Sequence, residues 1–90
     1  MKAARLGTYG SGVGELRWPR HAVVADGELY CADGTNHCVV VFRLDGRHLR
    51  SLGAPGDGPG QLESPHAVAI VGDRVLVADH GNHRIACFSP

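Results

Sequence analysis

Shifted by 46 residues, the sequence falls into register with itself without a gap. Leu6-Gly7 coincides with Leu52-Gly53, and Gly10, Gly12 and Gly14 coincide with Gly56, Gly58 and Gly60. Leu16 and Pro19 meet Leu62 and Pro65, Ala32-Asp33 meets Ala78-Asp79, Asn36-His37 meets Asn82-His83, and Phe42 meets Phe88. The shared positions are mostly Gly, Pro, Asp, Asn and apolar residues, which set turns and packing. A repeat of this length built from short strands is the period of β-propeller blades, sheets too small to bury their own faces. The expected fold is all-β: two four-stranded antiparallel blades forming a partial propeller.

Each repeat opens on alternate glycines, Gly10 to Gly14 and Gly56 to Gly60, ending at Leu16 or Leu62. Such a segment tolerates positive φ and close backbone approach. A phosphate loop would need a strand before it and a helix after it, and neither is in the pattern. After Pro19 and Pro65 come short apolar runs, 21–25 and 66–71, expected as first strands buried on both faces. Asp26-Gly27 and Gly72-Asp73 are hairpin turns leading into second strands at 28–32 and 74–78. There Leu29 and Cys31 share a face with their counterparts Val75 and Val77. Polar turns at 33–37 and 79–83 precede third strands at 38–43 and 84–89. Asp45-Gly46 turns into an outer fourth strand at 47–52, whose Arg47, His48 and Arg50 suit a sheet edge that must resist foreign strands.

The series Gly-x-Gly-x-Gly-x-Leu, Pro, an apolar strand, Asp-Gly, Leu-Tyr-Cys-Ala-Asp and Asn-His-x-Val-x-Val-Phe resembles the NHL repeat over nearly the whole chain. The second copy is the closer match, with Val77-Ala78-Asp79, then Asn82-His83-Arg84-Ile85 and Phe88. The first departs at Cys38, where the family pattern has the arginine seen at Arg84, and at Cys31, where it prefers valine. WD repeats are the runner-up, but their Gly-His and Trp-Asp signatures are missing. The resemblance implies propellers of about six blades. It also implies a recognition role, as in tripartite-motif ubiquitin ligases and extracellular parts of bacterial receptor kinases, although no RING or kinase sequence is present.

Residues 1–6 align with the fourth strand at 47–52, so the chain divides into an outer strand of a preceding blade (1–6), a first repeat (7–52) and a second repeat lacking its outer strand (53–90). Two blades do not close a ring, and a lone pair exposes apolar faces at roughly 1.5–3 kcal/mol per large side chain. Two remedies follow. The chain is a piece of a longer protein, or three copies assemble head to tail as a homotrimer closing a six-bladed ring.

Nine basic and nine acidic residues give zero net charge, against the basic excess usual in a dedicated nucleic-acid binder. No apolar run approaches a membrane span and no signal-type h-region opens the sequence, so no membrane partner is expected. Three cysteines, Cys31, Cys38 and Cys87, lack Cys-x-x-Cys spacing and read as buried small hydrophobes, which with the missing signal favours an intracellular setting.

His37 and His83 recur in both repeats and are expected to be structural, like the turn residues Asp33 and Asp79. His21 and His66 enter the first strands, nearest a propeller's channel, and are the weak candidates for metal; they are offset by one position between repeats. Arg17, Trp18 and Arg20 break the repeat, standing opposite Glu63, Ser64 and His66, and form the candidate binding loop. No catalytic residue and no cofactor is identified. The expected function is a non-catalytic protein-interaction module with a protein partner. The alternatives are a fragment of a six-bladed enzyme of the metal-dependent hydrolase or peptide-amidating lyase type, and an RNA-binding surface.

Overall fold

The computed structural model describes residues 5–89. Its first elements are two short parallel strands in the glycine segment, β1 (Thr8–Tyr9) and β2 (Glu15–Leu16). An antiparallel meander follows: β3 (Pro19–Ala25), β4 (Glu28–Asp33), β5 (Cys38–Arg43) and β6 (His48–Leu52). The second meander holds β7 (Pro65–Val71), β8 (Arg74–Asp79) and β9 (Arg84–Phe88). The architecture is all-β, with antiparallel sheets of four and three strands as partial propeller blades.

Strand ends fall within one or two residues of the sequence expectation because turn chemistry sets them. Asp26 and Gly27 both take positive φ, 50° and 74°, as a two-residue type I′ hairpin requires. The parallel pair β1–β2 was not expected; its counterpart in the second repeat is a single bridge between Pro55 and Leu62. Of the outer strand expected over 1–6, residues 1–4 lie outside the described residues, and Arg5 and Leu6 carry no strand.

The two sheets stack face to face, with β3 and β4 against β7. Ala32, Val39 and Val41 of the first sheet meet Val68 and Val77 of the second, and Leu62 from the connecting segment is fully buried among them. Leu62 reaches that place because Gly53, at φ +85°, lets the chain pass beneath it; a Cβ there would lie 2.6 Å from its Cδ1. Gly7 plays the same part for Leu16, beside Phe42.

The first strands correct one expectation. In β3, His21, Ala22 and Val24 are exposed, and in β7 Ala69 and Val71 are, whereas β4 and β5 are the strands buried on both sides. The reason is coverage: the outward faces of β3 and β7 meet no other sheet among the described residues, while β4 and β5 are covered on one side by the second sheet and on the other by the segment around Leu16. Leu29 and Cys31 take the face of their sheet equivalent to that of Val75 and Val77: the first pair points away from the second blade, and the second pair faces the first blade.

Candidate interaction surface

Every repeat carries a latch that fixes its entry loop. Asn36 Nδ2 donates to Gly10 O at 2.8 Å and to Asp33 Oδ2 at 2.9 Å; Asn82 Nδ2 does the same to Gly56 O at 2.9 Å and Asp79 Oδ2 at 2.8 Å. Main-chain Gly10 N–H donates to Leu16 O, and Gly56 N–H to Leu62 O, closing both glycine segments. The aspartates are fully buried. A buried carboxylate must be met by donors, and the two repeats meet it differently. Asp79 takes the Glu63 N–H at 2.7 Å and the Arg84 guanidinium at 3.1 Å. Arg84 continues to the carbonyls of Asp57, Gly58 and Gln61. In the first repeat Cys38 replaces that arginine, and Asp33 instead gathers the N–H groups of Arg17, Trp18, Thr35 and Asn36 at 2.9–3.3 Å.

Asp33 thereby holds the main chain of the loop that the sequence singled out. Trp18 is 53% exposed and lies outside the core between the blades. The Arg20 guanidinium carbon sits 4.1 Å above its ring. Arg17 stands 5.5 Å from the Tyr9 ring centroid and donates from Nη2 to Tyr9 Oη at 3.1 Å. The result is a ledge of two arginine–aromatic pairs, each cation placed over the face of an aromatic ring.

His66 adjoins this ledge and stacks on His80 with ring centroids 3.9 Å apart. Desolvation by its neighbours, then the nearby Arg20 and His80, lower the pKa of His66 below the ordinary histidine value. His21 is committed elsewhere: its Nδ1 accepts the Val68 N–H at 3.2 Å across the blade interface. The two candidate metal ligands thus go to separate partners, and among the described residues no group of three His, Cys, Asp or Glu side chains has ligand geometry. His37, expected to be structural, has its Nδ1 accepting the Ser64 N–H at 2.9 Å, also across the interface.

The cysteines divide by place. Cys31 is buried, Cys38 half-buried and Cys87 exposed; the expectation of three buried thiols fails at Cys87 because none of the described residues covers that face. Burial, reinforced by Asp33, pushes both Cys31 and Cys38 up to about 11, which keeps them protonated and unreactive at neutral pH.

The sequence reading passed over Tyr9 and His80. Both break the repeat, facing Pro55 and Gly34 under the 46-residue shift, so the criterion that found Arg17, Trp18 and Arg20 also points to them. No helix among the described residues is long and apolar enough to cross a membrane. In comparison with known proteins, the family model of the NHL repeat matches residues 62–88, a span that includes Asp79, Asn82 and Arg84 of the second latch. No curated protein matches the chain.

Proposed function

With an NHL repeat at residues 62–88 as the premise, we propose that the chain is a non-catalytic protein-interaction module, a propeller segment that presents Arg17, Trp18 and Arg20 to a protein partner. In this reading 7–52 and 53–90 are its two blades, and the ring is completed either by a longer polypeptide or by further copies, three for a six-bladed homotrimer. The observation that carries it is the exposed Arg20–Trp18 stack on a loop whose main chain is pinned by a buried aspartate. Trp and Arg dominate interface hot spots, and a loop ordered before binding loses little entropy on association.

The test compares proteins recovered on the unsubstituted chain with those recovered on a Trp18→Ala/Arg20→Ala double variant, followed by calorimetry on the partner. Each truncation is expected to cost about 2 kcal/mol of binding, roughly 30-fold in Kd. An identical set of proteins at unchanged affinity overturns the proposal.

The arginine–aromatic pairs also favour a second reading, single-stranded RNA, because bases stack on aromatic rings and arginine planes. Binding that falls steeply with salt supports it, and none at low salt removes it. The hydrolase or lyase alternative needs ligands converging on a channel, and no specific observation favours it.

A further inference from the structure

The second sheet has one face covered and one bare. In β8 and β9 the side chains that meet the first sheet are buried or half-buried, while on the other face Leu76 and Ala78 are partly open and Ile85 and Cys87 are exposed, Ile85 by 67%. Those four positions lie 46 residues after Tyr30, Ala32, Val39 and Val41, the side chains with which the first sheet docks onto the second. The bare face is therefore the docking face repeated, apolar at its centre with the exposed Arg74 at its end, where the first sheet has Glu28.

The matching half is at the other end of the stack. Val68, Ile70 and Val75 are docking residues of the second sheet; their counterparts in the first are Ala22, Val24 and Leu29, of which Ala22 and Val24 are exposed, Val24 by 58%. Leu16, counterpart of the buried plug Leu62, remains only half-buried.

The polar contacts between the blades are not carried over to these outer faces. Between the blades, Ser64 N–H donates to His37 Nδ1. The counterparts are Trp18 and His83. His83 is exposed yet already holds the left-handed backbone of His37, φ 55° against 57°, while the Trp18 N–H turns inward to Asp33.

We infer that a second copy of this chain docks head to tail on the bare face of the second sheet. It repeats the apolar part of the internal interface: the incoming Val24 and Leu29 pack on Leu76 and Ile85, and its Leu16 enters as the plug. The contact is heterologous, so it propagates until the rotation closes a ring. This rests on the propeller reading above and names the surface through which copies complete it.

Light scattering on separated species tests it with two variants, Val24→Asp and Ile85→Asp, each placing a charge on one of the two exposed faces. The unsubstituted chain is expected to run as a multimer. Each variant alone is expected to run as a monomer even at about tenfold the concentration that assembles the parent. An equimolar mixture of the two is expected to form a dimer, because each variant keeps the face the other has lost. Circular dichroism and urea midpoints near those of the parent exclude unfolding as the cause. A monomeric parent with a folded β spectrum, variants that leave the mass unchanged, or a mixture that stays monomeric overturns the inference. Partner binding through Trp18 and Arg20, measured on the monomeric variants, reports separately on the proposed function.

Discussion

Asp33 and Asp79 occupy equal places and face different problems. Asp79 has a guanidinium; Asp33 has only dipoles, and it draws on the entry loop to supply them. Replacing Cys38 with arginine is expected to stabilise the chain by about 1–2 kcal/mol in urea unfolding, since a charge-assisted bond to Asp33 and loop carbonyls is regained. Asp33→Asn is expected to cost about 2–3 kcal/mol, because an amide nitrogen placed at either oxygen faces other donors. The thiols give a second check at this scale. At neutral pH a disulfide reagent is expected to label Cys87 at once, and Cys31 and Cys38 only after unfolding, as their values near 11 and their burial require. Early labelling of Cys31 would contradict the buried assignment.

At the scale of elements, the repeat made the strands and their turns legible, because Asp26-Gly27, Asp45-Gly46 and the apolar runs each act locally. What stayed hidden depends on which faces meet. Nothing in the run from His21 to Ala25 tells that β3 is a sheet edge left open in this pair, and nothing in Leu29 and Cys31 tells that they face away from the second blade. The ledge was half legible: Arg17, Trp18 and Arg20 depart visibly from the repeat, but their pairing with Tyr9 and the tie to Asp33 follow only from the folded loop. The glycines separate local from packing roles. Gly53→Ala is expected to lose about 2–4 kcal/mol, combining left-handed strain with displacement of the Leu62 plug. Gly27→Ala, with open space around it, is expected to lose only about 1 kcal/mol, the strain alone. Equal losses in denaturant unfolding would show that the plug does not matter.

For the whole molecule, His66 links stability to acidity. The folded protein holds His66 below its ordinary value, so near and below about pH 6.5 the unfolded chain binds more protons than the folded one. Stability is then greatest above that value and declines as pH falls toward the lowered folded value. Melting temperature is expected to fall between pH 7 and 5, and His66→Gln to flatten part of that slope; an unchanged slope would remove His66 from the account.

The latch also decides how such a polypeptide can be cut and rejoined. Asn82 reaches back 26 residues to Gly56 and Asn36 the same distance to Gly10, so a splice made between a glycine segment and its own Asx turn severs a clasp. Concatenation in whole modules begun ahead of the glycines keeps every clasp intact, and lengthens the stack one blade at a time.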